Sequence, residues 1–492
     1  MIDMVLLLVL LVIPLLGAGL SWFLRPPLIL HGLTVATHLV VLGAALLLIA
    51  RLLSGEHPHA FGNWLYLDYL GGVVLLIVAG VGFTSAVYSI GYLNHELKEK
   101  AVRDSELRRY YALLHLFTFT MLVSSVSGNL GVLWTAIAAT TIASAPLVDF
   151  YGSREPLEAA WKYILLTTAG SMVALLGFLI LYQAGVHVLG RSYDFAFPIL
   201  GPVAGRLPAA AASTAFLLVL VGLGTKAGLA PMHTWLPDAH SQAPSPICAL
   251  LSGVELNCAM LGIFRVYSLT APAAGAAHLR LALLIFGILS VLVAVIFLIN
   301  QRDFKRLLAY SSIEHMGLVA VGLGVGVPLA VFGSLLQMIN HALAKSLMFF
   351  ATGNLLLRFR TREIGSVGGL ARDMPATAAI VLAGGLAIAG APPFNLFISE
   401  FSIIAGAATS HQWVPALVVA ALLVVGFLAI LAPFNRMVFS VPKAGHGIAA
   451  AEINFVALLP AYVTLALVLL LGLWIPGPLH DLLQGAAKVL LP

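Results

Sequence analysis

Apolar stretches of about 20 residues, each long enough to cross the hydrocarbon of a bilayer as a helix, recur from the first residues of this chain to the last. The runs are continuous rather than alternating, and backbone polar groups in lipid must be satisfied within the segment, so the spans are helices and not barrel strands. Only 9% of the 492 residues are charged and 61% are hydrophobic, where an ordinary soluble domain carries about 25% charge. No water-soluble domain fits between the spans. The expected fold is an all-α polytopic membrane protein of fourteen transmembrane helices, near 4–23, 28–50, 67–92, 110–127, 129–150, 160–184, 210–230, 246–268, 277–299, 307–326, 328–357, 375–407, 413–437 and 454–475.

The N-terminus, MIDMVLLLVLLVIPLLGAGLSWFL, lacks the basic n-region and small-residue cleavage site of a signal peptide and reads as a retained first helix. The longest polar stretch, NHELKEKAVRDSELRR at 94–109, mixes charges of both signs and reads as a solvated linker. Basic residues orient the chain, because lysine and arginine concentrate on the cytoplasmic side. Loops following odd-numbered spans hold seventeen of them, Lys305 and Lys443 included, against six on the other side, Arg51, Arg191, Arg206, Arg265, Arg280 and Lys488. This places the odd loops in the cytoplasm and both termini outside the cytoplasmic membrane, and leaves Lys226 and Lys345 as the basic residues deep within spans.

Two spans are interrupted by proline in the same way. The seventh runs into LAPMHTWLP, with Pro231 and Pro237, and the twelfth contains GLAIAGAPPFNLFISEF, with Pro392 and Pro393. Proline removes a backbone donor and clashes with the preceding turn, so each helix breaks and frees backbone groups near the membrane interior. Broken helices at corresponding places of two halves point to an inverted-repeat transporter. Their separation of five spans is odd, so the repeat is inverted. The implied division is 1–109 for helices one to three and the charged loop, 110–268 for the first repeat, 277–437 for the second, and 454–492 for the last helix and a short amphipathic tail.

Ionisable residues within spans are costly and are functional candidates by default. Here they form a series: Lys226 before the first break, Glu255 in the eighth span, Glu314 and His315 in the tenth, His341 and Lys345 in the eleventh, and Glu400 after the second break. The spacing of four puts His341 and Lys345 on one helix face. A lysine in low dielectric gives up its proton more readily and a nearby carboxylate restores it, so moving that charge loads or unloads the lysine. Histidine exchanges protons near neutral pH and can connect such sites. A lone buried histidine is more often a satisfied core residue, and Glu314 can equally serve as a partner for a base. His233, Asp238 and His240, in the re-entry after the first break, suit either a structural network or proton uptake. The two lysines lie too far from span ends to snorkel and carry the functional reading.

Other site chemistry is absent from the sequence. No CxxC, HExxH, Walker-type loop or dinucleotide fingerprint occurs, which implies no cofactor, no metal and no redox centre in this chain. Cys248 and Cys258 are ten residues apart in one span, too far for a disulfide, and read as packing. The net charge of +5 shows no arginine-rich tract, so nucleic acid is not a partner.

KAGLAPMHTWLPDAHSQAPSP at 226–246, RDFKRLLAYSSIEHMG at 302–317 and INHALAKSLMFFATGN at 339–354 resemble the proton-translocating antiporter-like subunits of respiratory complex I and its relatives. With NLGVLWTAIAATTIAS at 129–144, the wording is most similar to the hydrogenase-4 component F and formate-hydrogenlyase branch of that superfamily. The resemblance spans about 60 to 440. It implies Lys226 as the central lysine of the first half, His315 and His341 as connecting histidines, Lys345 as a further lysine and Glu400 as the terminal carboxylate. It further implies other membrane subunits as partners, with iron–sulfur or nickel–iron subunits acting indirectly, and a lipid environment. Asn257 stands where some relatives carry another lysine, and the short tail contrasts with the extended end of the distal complex I subunit.

One departure matters. The glutamate that pairs with the central lysine in similar chains falls at Ala138. Asp149 is eleven residues further on, about 16 Å by helical rise, too far to substitute directly. Glu255, at a position usually apolar in similar chains, is the expected replacement, which requires its carboxylate within about 8 Å of Lys226, a separation at which opposite charges still interact appreciably in a protein interior. The competing readings are a subunit of a cation/proton antiporter or inorganic-carbon uptake assembly, and a scaffold whose pumping the loss at Ala138 has disabled.

Overall fold

The computed structural model describes residues 2–441, Glu452 and 455–491. Lys443, counted above among the odd-loop charges, lies outside the described residues. The helices are α1 Ile2–Phe23, α2 Pro27–Leu53, α3 Tyr69–Lys98, α4 Asp104–Val126, α5 Leu130–Val148, α6 Arg154–Leu189, α7 Ala209–Ala227 and α8 Trp235–Gln242. They continue with α9 Ser245–Ala274, α10 Ala276–Leu298, α11 Phe304–Val325, α12 Pro328–Phe359, α13 Pro375–Ile388, α14 Asn395–Thr409, α15 Trp413–Phe439, α16 Phe455–Leu473 and the amphipathic α17 Gly477–Leu490. Eleven of these are long and apolar enough to cross a membrane. The polar α4 and α12 and the broken pair α13/α14 bring the spans to fourteen, α7 and α8 together forming the seventh. The chain is a multi-pass membrane protein. A short hairpin, His59–Ala60 with Leu65–Tyr66, and isolated bridges such as Asn129 with Ala196 add to the helical expectation.

Side chains start several helices as their types dictate. Asp68, Asn129 and Asp303 cap α3, α5 and α11 by accepting from free amides of the first turn. Pro27, Pro328 and Pro375 occupy first helical positions, where no amide partner is lost. Small residues set the close crossings. A Cβ on Gly222 of α7 would meet backbone atoms of Gly170 and Ala174 in α6, and one on Gly287 of α10 would lie 2.7 Å from the Gly317 oxygen of α11.

The 94–109 stretch is not an open linker. α3 continues to Lys98 and α4 begins at Asp104. The charges are consumed at helix ends: Glu106 accepts from the Arg103 amide at 2.7 Å, and buried Glu96 is bonded by Arg360 at 2.6 Å. The odd loops do share one face. Asp238 takes Lys162 at 3.2 Å and Arg306 at 2.5 Å, and Arg362 reaches Glu155 at 3.4 Å, joining the loops after spans five, seven, nine and eleven.

The breaks are built alike. α7 ends at Ala227, Gly228 turns left-handed, and α8 begins seven residues on, with Pro237 inside its first turn and not at the break. The freed Thr225 carbonyl accepts from Trp235 Nε1 at 2.8 Å. α13 ends at Ile388, Gly390 turns left-handed, and α14 resumes at Asn395. Each break holds a cis peptide bond before proline, Ala230–Pro231 and Pro392–Pro393. α8 ends on the face of the odd loops, whereas α14 ends beside Val325, whose carbonyl accepts from Gln412 on the opposite face. The two broken spans therefore run in opposite directions.

Candidate functional site

The enclosed helices carry the polar row. α9 and α11 are enclosed by other helices, whereas α15 is largely exposed along its length. Lys226, in the last turn of α7, and Glu255, in α9, are both fully buried, with Glu255 Oε1 3.0 Å from Lys226 Nζ. Glu255, the expected partner of Lys226, thus lies in direct contact with it. The same oxygen accepts from Tyr163 OH at 2.6 Å and Thr140 Oγ1 at 2.7 Å, and Lys226 also donates to Thr141 Oγ1. Glu255 Oε2 is buried without a partner. Residues 251–255 form a π-turn within α9, which advances Glu255 around the helix axis relative to a regular α-turn. Nothing in the hydrophobic period announces that turn.

Ala138 faces the other way. It lines an apolar lateral groove of about 650 Å³ between α5 and α6, together with Thr141, Trp161 and, at one end, Asp149 and Arg109. Asp149 follows the last turn of α5 and is not brought to Lys226; burial raises its carboxyl from the usual range and Arg109 partly offsets this.

Ser252 of α9 meets Ser312 of α11 at 2.7 Å, linking the first pair to the second half. There Lys345 donates to the Leu308 carbonyl at 2.8 Å and to Ser311 Oγ, both neutral oxygens. His341 is buried one turn before it, with neither ring nitrogen bonded, and its ring centroid is 5.5 Å from that of His315. His315 Nδ1 stands 3.6 Å from Glu400 Oε1 and 3.1 Å from Gln337 Nε2. Glu400 lies over Gly390 of the second break, where a Cβ would collide with its carboxylate. Glu314, adjacent to His315, turns away from this line toward Gly426 of α15.

The re-entry residues separate. Asp238 belongs to the surface ion-pair network; His233 packs near Phe297 and Tyr310; His240 is buried against Phe349, both ring nitrogens unbonded. Other buried polar residues were not singled out by sequence. Lys305 is buried and donates to the Ala243 carbonyl at 2.6 Å, at the floor of a cavity of about 350 Å³ that opens among Glu96, Glu155, Arg360 and Arg362. Arg265 is also buried inside α9, which corrects its assignment to an outer loop; it forms two 2.6 Å bonds with Asp68. Gln337, the bridge between His315 and Ser399, has no charge to advertise it.

A sequence profile described as NADH:quinone oxidoreductase/Mrp antiporter, TM, matches residues 127–427, well over half of the chain. The chain belongs to this family. It is an antiporter-like membrane subunit of the complex I and group 4 hydrogenase type. The hydrogenase-4 component F homolog of Methylacidiphilum infernorum is 34% identical over 432 residues, covering 87% of this chain and 89% of that one. An antiporter-like chain of the membrane-bound sulfane sulfur reductase, an archaeal respiratory membrane complex, is 25% identical with a TM-score of 0.87, covering 99% of this chain and 98% of that one. A chain of respiratory complex I from Thermus thermophilus shares the fold at a TM-score of 0.81 and 24% identity, over 99% of both chains. These neighbours are membrane subunits of multi-subunit complexes, so other membrane subunits are partners of an antiporter-like subunit such as this one.

Proposed function

We propose that this subunit carries protons through the membrane arm of a redox-driven complex along Lys226, Glu255, Lys345, His341, His315 and Glu400. The observation that supports this most is the 3.0 Å Lys226–Glu255 pair between α7 and α9, while Ala138 of α5, where the resemblance places the partner carboxylate, is alanine. A buried charge pair costs several kcal/mol of desolvation, and replacing it with apolar packing is often neutral or stabilising. A fully buried pair kept at that cost is best explained by a need for the charge. Glu314 lies beside the row as a second acid. His240 and Lys305, between the 350 Å³ cavity and Lys345, suit proton uptake from the face of the odd loops, with Asp238 and His233 in support.

In this reading the chain has no redox chemistry of its own. Soluble iron–sulfur or nickel–iron subunits supply the driving reaction through neighbouring membrane subunits, the relative named a hydrogenase-4 component F homolog pointing to that branch. The membrane is the inner (cytoplasmic) one, with the seventeen-residue basic side inward and both termini outside. The division at 110–268 and 277–437 follows the two broken spans.

The test is to replace Lys226 and Lys345 separately by methionine in the assembled, reconstituted complex and to measure protons translocated per turnover. Loss of translocation in at least one variant is expected while the catalytic subunits still turn over. Unchanged stoichiometry in both would show a scaffold.

A further inference from the structure

A second buried polar column lies outside the row described above, between α1, α2, α3 and α4. α2 presents His31, Thr34 and His38 on one stripe, and α4 presents Tyr111, His115 and Thr118 on another. The two helices run side by side in the same direction, and the stripes meet in register. His31 Nδ1 meets Tyr111 OH at 2.6 Å, Thr34 Oγ1 meets His115 Nε2 at 3.3 Å, and His38 Nε2 meets Thr118 Oγ1 at 3.3 Å. The rings of His38 and His115 stack with centroids 5.2 Å apart. At the end near the odd loops, His31 Nε2 bonds Asn94 Oδ1 of α3 at 2.9 Å. Asn94 is only partly buried, whereas all three histidines are enclosed.

The column fits proton carriage better than packing. Interhelical hydrogen bonds in membranes average about 0.6 kcal/mol, and a single hydroxyl is enough to supply one. Here His115 Nδ1 is buried with no partner among the described residues, a cost of about 1–3 kcal/mol that a packing device would avoid. Glycines make room for the rings on both sides: a Cβ on Gly17 of α1 would lie 3.1 Å from the His115 ring, and one on Gly82 of α3 would lie 3.3 Å from that of His38. Imidazole and hydroxyl groups each can donate and accept, so every member from His31 to Thr118 can pass a proton on. The polar side chains facing the rings are Thr34, Thr37, Asn94, Tyr111 and Thr118. Among the described residues no carboxylate, lysine or arginine bonds to them, and no three side chains converge as metal ligands do.

We propose that α2 and α4 enclose a histidine-lined proton well, open at Asn94 and ending at His38 and Thr118. From His31 to His38 it descends about 10 Å by helical rise, roughly a third of the hydrocarbon thickness. It is independent of Lys226 and Lys345.

The test is exchange of the imidazole C2 hydrogens of the intact complex in D2O, read residue by residue by mass spectrometry, with exposed His187 as the internal reference. His38 and His115 are expected to exchange on a timescale that can be followed, and Asn94→Leu at the mouth is expected to slow both by about tenfold or more while leaving His187 and His315 unchanged. A His115→Leu variant is expected to slow His38 and spare His31. The proposal is overturned if His38 and His115 stay unexchanged after His187 has exchanged fully, or if Asn94→Leu leaves their rates as they were. Lys226→Met and Lys345→Met are expected not to alter these rates, so failure of the proton well and failure of the lysine row are read separately.

Discussion

The two buried lysines are held in opposite ways. Lys226 is closed onto a carboxylate at 3.0 Å, and that carboxylate is itself bonded by Tyr163 and Thr140. Lys345 rests on a backbone carbonyl and a serine hydroxyl, while the acid beside it, Glu314, points at Gly426. The first half therefore stores a neutral pair whose opening must break several bonds at once. The second can gain or lose charge without breaking an ion pair. If protons move between halves, the first lysine is the site that needs a push and the second is the one that responds. The resemblance places the first carboxylate in the fifth span; here that position, Ala138, faces a lateral groove on the outer wall, and the acid that meets Lys226 stands on the enclosed α9.

The largest effect expected from this contrast is on stability. Glu255→Leu leaves the Lys226 ammonium buried and uncompensated, a loss of about 3–5 kcal/mol for a broken buried pair. Glu314→Gln breaks no ion pair and should cost less than about 1 kcal/mol, since no charge is stranded. Thermal unfolding of the detergent-solubilised complex checks both. Equal shifts in the two variants would remove the distinction between a closed and an open lysine.

A relocation test comes next. Ala138→Glu combined with Glu255→Leu returns the acid to the fifth span, and should recover at least half of the translocation lost in Glu255→Leu alone, because Thr141 already joins the Ala138 groove to Lys226. Proton pumping in proteoliposomes measures it. If the double variant is no better than Glu255→Leu, the acid at 255 is not standing in for one at 138.

Tyr163→Phe is the milder probe of the same pair. It removes one bond to a buried charged oxygen, worth about 1.5–3 kcal/mol, and keeps the ring packed against Trp235. Translocation is expected to fall several-fold while Lys226 keeps its partner. The equivalent removal in the second half, Ser311→Ala, leaves Lys345 its bond to the Leu308 carbonyl and should fall less.

How much of this was legible beforehand follows from range. The spans, both breaks, Lys226, Lys345 and the histidines of α11 and α12 are readable because each depends on local period, proline chemistry or a charge in an apolar run. The Glu255 pairing was readable as one loss and one gain. The π-turn that delivers Glu255 was not, since a single extra residue in a turn leaves the apolar pattern of α9 intact. Arg265 was misplaced because its partner Asp68 is nearly two hundred positions away, and Lys305 looked like one more loop charge beside Arg302 and Arg306. The α2–α4 histidines escaped for the same reason: His38 and His115 become neighbours only through the register of two helices.

The smallest effect tests whether Glu314 belongs to the second half at all. In Gly426→Ala the new methyl group occupies the space of the Glu314 carboxylate, and because that group is the free end of a flexible side chain, it can swing rather than force the helices apart. Stability should change by less than about 1 kcal/mol. If the acid turns toward Lys345, the second lysine comes to resemble the first, and protons per turnover should fall modestly with α9 and the Lys226–Glu255 pair untouched. Adding Glu314→Gln to Gly426→Ala should then cancel the part that depends on the acid. If Gly426→Ala lowers translocation by the same factor with glutamine at 314, the effect belongs to α15 packing, and the contrast between the halves rests on Lys345 and its neutral oxygens alone.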